Sequence, residues 1–154
     1  MRILMVCLGN ICRSPLAEGI LRRQLVEAGL NWTVDSAGTL DFHVGSAPHP
    51  DSQKVALLNG IDISMQKARP LVLEDADRFD IIYALANDVH AGVQKILGEH
   101  ARPEQVRLLL NELNPGKNEN VPDPYYGTEA DFHRVYALLD QACQALIRNN
   151  TIPA

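Results

Sequence analysis

The sequence is poor in cysteine. Its three cysteines, Cys7, Cys12 and Cys143, include no Cys-x-x-Cys pair, and its five histidines show no spacing typical of metal ligands. An odd cysteine count without a secretion signal favours reduced thiols over a disulfide framework. We therefore expect no structural disulfide and no metal site.

Long apolar runs and basic clusters are also missing. No apolar stretch approaches the roughly 20 residues that a membrane-spanning helix needs, and the N-terminus lacks the regions of a signal peptide. Lysines and arginines are scattered along a chain of net charge −5, whereas nucleic-acid-binding proteins concentrate them on one face. We expect a cytoplasmic protein that binds neither membranes nor nucleic acids.

Strand-like and helix-like segments alternate along the 154 residues. Apolar runs predict strands near 2–7, 32–36, 80–85 and 106–110. Helical spacing of apolar residues predicts helices near 14–28, 51–59, 87–97 and from 128 onward. Such alternation indicates an α/β fold with three layers (α/β/α): a four-stranded, parallel, twisted sheet with helices on both faces. We expect residues 1–154 to form a single domain.

The first strand and the first helix are joined by the segment Val6-Cys7-Leu8-Gly9-Asn10-Ile11-Cys12-Arg13-Ser14-Pro15. Ser14 is suited to cap the helix, and Pro15 to the first helical position. Free N–H groups and the helix dipole favour anions at such a junction, and a cysteine near a helix N-terminus and an arginine ionises readily. We therefore expect residues 8–14 to bind phosphate beside the nucleophile Cys7. The alternative is a buried cysteine and a solvated arginine.

A phosphate monoester in this loop would meet two reactive groups. Arg13 can bind two phosphate oxygens at once, and the Cys7 thiolate can attack in line with the leaving oxygen. Ser14 can donate a hydrogen bond to that thiolate. The expected product is a cysteinyl-phosphate, which water then hydrolyses.

The leaving oxygen also needs a proton. In the polar loop 111–127, Asp123 lies between two prolines that stiffen the chain around it. The adjacent Tyr125 and Tyr126 can line a pocket and stack on a flat substrate. In the alternative interpretation, this is a proline-rich turn in which Asp123 bonds only to backbone.

Other residues carry structural interpretations. Phe42, alone in the loop 38–50, could anchor that loop on the core. Cys143 borders the apolar stripe of the last helix and is expected in the core. Glu18 and Arg22 are spaced to pair on the outer face of the first helix.

These motifs together make the sequence resemble the low-molecular-weight protein tyrosine phosphatases along nearly its whole length. The resemblance rests on Val-Cys-x-Gly-Asn-x-Cys-Arg-Ser-Pro at 6–15 and Asp-Pro-Tyr-Tyr at 123–126. It implies a parallel sheet flanked by helices, without metal or cofactor. It also implies four roles: Cys7 as nucleophile, Arg13 as phosphate clamp, Ser14 as thiolate stabiliser, and Asp123 as general acid and then base.

The resemblance also implies how the site is supported. An asparagine matching Asn10 shapes the loop by bonding to a serine matching Ser36. Aromatic residues matching Phe42, Tyr125 and Tyr126 line the entrance. The implied partners are phosphotyrosine proteins or small aryl phosphates, and the paired tyrosines are compatible with a monomer or a weak homodimer.

Cys12 has two interpretations. The family carries a second cysteine there, so Cys12 is a possible redox partner that protects Cys7 from over-oxidation. Otherwise it is a small packing residue.

Two positions depart from the family pattern. Gln66 stands where many members have a histidine that supports the phosphate loop, and Ala86 stands where many have an aspartate. We expect these changes to alter loop rigidity or the pH profile, but not the class of reaction.

The sequence leaves three alternatives open. Arsenate reductases of the same fold use extra cysteines after the third strand, and residues 82–97 contain none. Phosphoarginine phosphatases tend to have threonine at the position of Ile11 and lack the tyrosine pair, so phosphotyrosine is favoured. The third alternative is a non-catalytic phosphate-binding module.

Overall fold

A four-stranded parallel sheet forms the centre of the computed structural model, which describes residues 1–151. The strands are β1 (Arg2–Cys7), β2 (Thr33–Gly38), β3 (Ile81–Ala84) and β4 (Val106–Leu108). They lie in the order β2-β1-β3-β4, and every neighbouring pair is parallel. The predicted α/β sheet is confirmed.

Helices cover both faces of the sheet. They are α1 (Arg13–Glu27), α2 (Pro50–Leu58), α3 (Asp75–Arg78), α4 (Asn87–Leu97) and α5 (Glu129–Thr151). Because side chains alternate along a strand, Ile3 and Met5 of β1 pack into a core with α1, α2 and α5. Leu4 and Val6 pack into a second core with α3 and α4. No helix within residues 1–151 is long and apolar enough to cross a membrane.

The strand order creates a binding edge. Strand β1 pairs with β2 on one side and with β3 on the other. The strand order therefore changes direction at β1, beside its carboxyl end. Open parallel sheets bind ligands at such a switch point. Cys7 is the last residue of β1 and therefore lies at this edge.

The start of α1 differs from the prediction. The helix begins at Arg13, its N-cap position is Cys12, and the Cys12 side chain makes no capping hydrogen bond. Ser14 is therefore not the cap, because its hydroxyl contacts Cys7 and Asn10 instead. Glu18 is also not on an outer face: it is 5% exposed, although it does pair with Arg22 at 2.8 Å.

Two further elements differ from the prediction. The short helix α3 was not predicted, because four residues are too few for a helical period. The strand β4 ends at Leu108, since Leu109–Glu112 turn into a 3-10 helix.

Candidate active site

The Cys7 loop, residues 7–13, is held by the segment that follows β2. Thr39 and Leu40 donate backbone hydrogen bonds to the carbonyls of Cys7 and Leu8, at 3.0 and 2.9 Å. A Cβ on Gly38 would lie 2.7 Å from the Leu8 carbonyl oxygen. A glycine at the end of β2 therefore allows this close approach.

Asn10 stabilises the turn within the loop. Its φ is +58°, a left-handed conformation that asparagine tolerates better than most residues. Its Nδ2 donates to Ser14 Oγ at 2.7 Å and to Ser36 Oγ at 2.9 Å. Its Oδ1 accepts from the Arg69 amide at 3.0 Å. The contact with Ser36 is the one implied by the family resemblance.

A chain of hydrogen bonds runs from Cys7 into the protein. Ser14 Oγ lies 3.0 Å from Cys7 Sγ, and Asn10 links Ser14 to Ser36. Ser36 Oγ then donates to Glu18 Oε1 at 2.7 Å. Burial raises the pKa of Glu18, while hydrogen bonds from Ser36 and Arg22 oppose that shift.

Arg13 connects this loop to the Asp123 loop, which comprises residues 121–128. The Arg13 side chain is buried, and one guanidinium nitrogen donates to the Val121 carbonyl at 3.0 Å. Its other terminal nitrogen lies 3.5 Å from Asp123 Oδ2. Val121 in turn donates to the Leu85 carbonyl beyond β3 at 2.8 Å. Arg13 and Asp123 therefore meet although 110 positions separate them in the sequence.

A cleft of about 270 Å³ opens between the two loops. Its lining contains most of the predicted site residues and two that were not predicted, Leu40 and His43. The full lining is Cys7, Leu8, Gly9, Ile11, Cys12, Arg13, Leu40, Phe42, His43, Asp123, Tyr125 and Tyr126. Asn10, Ser14 and Ser36 lie behind the cleft and support it. Leu40 and His43 carry no motif of their own, and only their closeness to Phe42 could have indicated them.

Aromatic side chains form the mouth of the cleft. Phe42 is 83% exposed, so the interpretation of Phe42 as a core anchor is wrong. Tyr125 and Tyr126 contact each other edge to face at 4.7 Å between ring centroids. The predicted core position of Cys143, in contrast, is confirmed by its complete burial.

Cys12 differs from Cys7 in its surroundings. Burial raises the pKa of the Cys12 thiol to about 12, and the nearby Cys7 and Asp123 add to that shift while Arg13 opposes it. The Cys12 carbonyl accepts from Ser52 Oγ at 3.2 Å. Within residues 1–151, no group of histidine, cysteine and acidic side chains is arranged to hold a metal ion.

The two departures from the family pattern lie beside this site. Gln66 Nε2 donates to the Pro15 carbonyl in the first turn of α1 at 3.1 Å. Its Oε1 is buried and has no hydrogen-bond partner among the described residues. Ala86 is buried and precedes α4.

The chain is similar to known phosphatases in sequence and in fold. The sequence model of the family described as low molecular weight phosphotyrosine protein phosphatase matches residues 2–152. The Schizosaccharomyces pombe protein of that name is 36% identical over 151 residues, covering 96% of each chain. A crystal structure of a protein tyrosine phosphatase from Entamoeba histolytica has a TM-score of 0.88 and 34% identity, covering 97% of this chain and 96% of that one. The arginine phosphatase YwlE also matches, with a TM-score of 0.88 and 25% identity, covering 97% of this chain and 95% of that one.

Proposed function

Because the chain belongs to the low molecular weight phosphotyrosine protein phosphatase family, we propose that it hydrolyses phosphotyrosine and small aryl phosphates through a cysteinyl-phosphate. The observation that carries this proposal is the convergence of Cys7, Arg13 and Asp123 on one cleft. A nucleophile, an anion clamp and a proton donor are the three groups that this hydrolysis requires.

In the first step, the Cys7 thiolate attacks phosphorus while the bond to the aryl oxygen breaks. Arg13 and the loop amides bind the phosphoryl oxygens, so positioning and charge stabilisation lower the barrier. Asp123, as the carboxylic acid, gives its proton to the leaving oxygen. Ser14 Oγ, 3.0 Å from the sulfur, stabilises the thiolate before attack.

In the second step, water hydrolyses the cysteinyl-phosphate. Asp123, now a carboxylate, takes a proton from the attacking water, and the sulfur leaves as a thiolate. Phosphate is released and the starting protonation states return. The same hydrogen bond from Ser14 favours this departure because it stabilises the charge that develops on sulfur.

The primary test measures phosphate release from p-nitrophenyl phosphate at mildly acidic pH. We expect turnover by the wild-type protein, and none by Cys7→Ser. Isothermal titration with inorganic phosphate should show that Cys7→Ser still binds the anion, which controls for folding. A wild-type protein that releases no phosphate contradicts the enzymatic proposal and leaves the non-catalytic binding module.

Phosphoarginine is the second candidate substrate, because the YwlE arginine phosphatase shares the fold at 25% identity. Support for an aryl ring comes from the lining of the cleft, which includes the apolar Ile11 and the aromatic Phe42 and Tyr125. Peptides carrying phosphotyrosine, phosphoserine or phosphoarginine, assayed with one enzyme preparation, separate these candidates. We expect the highest kcat/KM for phosphotyrosine.

We also propose Cys12 as the redox partner of Cys7. Peroxide oxidises the Cys7 thiolate to a sulfenic acid, and the Cys12 sulfur then displaces water to form a disulfide. The raised pKa of Cys12 makes this second step slow, since the thiolate is the attacking form. Mass spectrometry after peroxide treatment should find a reducible bond between the two. Irreversible sulfonic acid on Cys7 contradicts the proposal.

The tyrosine pair supports a monomer or a weak homodimer. Tyr126 is 97% exposed, which leaves its ring available for a self-contact. Sedimentation velocity over a range of concentrations should detect any dimer, and Tyr126→Ala should weaken it. If Tyr126→Ala leaves the dimer unchanged, the contact between the two copies does not involve Tyr126.

A further inference from the structure

We propose that His49 is a positioning residue, which holds the Asp123 loop against the Cys7 loop and thereby sets the place of the general acid. The inference rests on the proposed function, because it assigns His49 a part in the use of Asp123. His49 does not line the cleft, so it acts through its neighbours.

The backbone of His49 is fixed on the side of the Cys7 loop. Its amide donates to the Ile11 carbonyl at 2.8 Å. The residue is also the N-cap of α2, where its Nδ1 accepts from the Asp51 amide at 3.1 Å and Pro50 begins the helix. The first bond fixes the position of the His49 backbone, and the second caps α2.

The ring then reaches the other side of the cleft. It stacks on Phe132 with 4.9 Å between centroids and an angle of 28° between planes. It meets Tyr125 edge to face at 5.8 Å and 73°. Phe132 is fully buried in α5, so His49 gives Tyr125 a rigid surface on which to rest.

Tyr125 in turn determines the orientation of Asp123. The Tyr125 amide donates to Asp123 Oδ1 at 3.1 Å, while Asp123 Oδ2 faces Arg13 at 3.5 Å. The Asp123 side chain has few other restraints and is 45% exposed. A displacement of Tyr125 therefore moves the carboxyl group directly. The path from Ile11 through His49 and Tyr125 to Asp123 links the two halves of the site.

Two substitutions separate the effect of the His49 ring contacts from the effect of its N-cap hydrogen bond. His49→Asn keeps a favoured N-cap side chain and removes the stacking ring. His49→Phe keeps a stacking ring and removes the cap. His133→Asn, on an exposed part of α5 outside the cleft, serves as the control.

The dependence of kcat/KM on the leaving group tests whether His49 acts through the proposed acid, Asp123. We expect His49→Asn to lower kcat/KM about tenfold for phenyl phosphate but less than about threefold for p-nitrophenyl phosphate, since a good leaving group needs less help from the acid. His49→Phe should retain both rates within about twofold, although its Tm should fall with the lost cap. Equal losses on both substrates, or losses in the Phe variant that match the Asn variant, overturn the proposal.

Hydrogen exchange tests the same path without catalysis. The Tyr125 amide should exchange faster in His49→Asn than in the wild-type protein, and at an unchanged rate in His49→Phe and in His133→Asn. An unchanged rate in His49→Asn overturns the proposal whether or not the protein is active. The failure of the proposed function is distinct, because it appears as an inactive wild-type protein.

Discussion

The two loops that face each other across the cleft are built in opposite ways. In the Cys7 loop and the residue after it, Asn10, Arg13 and Ser14 are 3%, 4% and 0% exposed, and each makes a side-chain hydrogen bond. In the Asp123 loop, Tyr126 is 97% exposed, and the Asp123 carboxylate is restrained mainly by one backbone amide. The Cys7 loop is therefore preorganised, whereas the Asp123 carboxylate is held by a few contacts that substrates and substitutions can alter.

The proposed mechanism gives this difference a chemical reason. The phosphoryl oxygens carry charge throughout the reaction, so fixed donors stabilise them without reorganisation. Asp123 must give its proton to leaving groups of different shape and later take a proton from water. A less restrained side chain can reach all of these partners. Substitutions in the Cys7 loop should consequently affect both activity and stability, whereas those in the Asp123 loop should affect activity alone.

Arg13 lies in the Cys7 loop and contacts the Asp123 loop, and its replacement should have the largest effect. Arg13→Lys retains the charge but loses the planar pair of donors for phosphate and the bond to Val121. We expect kcat/KM for p-nitrophenyl phosphate to fall about 10³-fold. The exposed Arg102→Lys is the matched control in the same steady-state assay. A loss below about tenfold contradicts the view that Arg13 joins the loops as well as neutralising charge.

Asp123→Asn should separate activity from stability most clearly. It removes the proton donor, so kcat/KM for phenyl phosphate should fall about 10²-fold, with a smaller loss for p-nitrophenyl phosphate. The Tm should hardly change, because the carboxylate is half exposed and its ion pair with Arg13 is long, at 3.5 Å. A large fall in Tm would remove the contrast between the loops.

Asn10 tests the preorganised loop with a matched pair of variants. Asn10→Gly keeps easy access to the left-handed backbone conformation but loses the three side-chain hydrogen bonds of Asn10. Asn10→Ala loses these hydrogen bonds and also the easy access to that conformation. We expect about a tenfold loss of kcat/KM in the glycine variant and a larger loss in the alanine variant, with destabilisation of about 1–3 kcal/mol. Urea unfolding and kinetics check both effects. Equal results for the pair indicate that the backbone conformation costs nothing.

The sequence predicted the parts of the site that lie in contiguous motifs. Cys7 and Arg13 share one loop, and the strand and helix around that loop follow from local periodicity. Asp123 could be found because the chemistry requires an acid and prolines flank it. The parallel sheet followed from the alternation of strands and helices.

The remaining features depend on contacts between distant segments. Ser14 could form a helix cap by local rules, but Asn10 and Cys7 engage its hydroxyl in the folded chain. Glu18 has the spacing of a surface ion pair, yet Ser36 arrives from β2 and buries it. His49 has no motif, and its role emerges only when α5 and the Asp123 loop pack around it. Sequence periodicity cannot report which partner a polar side chain will meet.

Glu18 is the far end of the chain of hydrogen bonds behind Cys7, and its charge gives the smallest predicted effect. Burial raises its pKa in the folded protein, so folding favours the protonated form. Its stabilising contribution is complete below the unfolded value of about 4.3 and is lost as pH rises through the folded value. Asp62, Asp80, Glu129 and Asp131 have lowered pKa values and produce the opposite slope.

Because these groups oppose one another, the contribution of Glu18 to the pH dependence of stability is measured as the difference between the wild-type protein and a Glu18 variant. Glu18→Gln cannot titrate, so the free energy of unfolding of the wild-type protein minus that of the variant should decrease as pH rises from about 4 to 7. Urea unfolding across this range measures the difference, and the exposed Glu99→Gln serves as the control. A flat difference curve means that the pKa of Glu18 is the same in the folded and unfolded states. In that case the preorganised loop rests near neutral pH on a buried carboxylate, which Ser36 and Arg22 must stabilise.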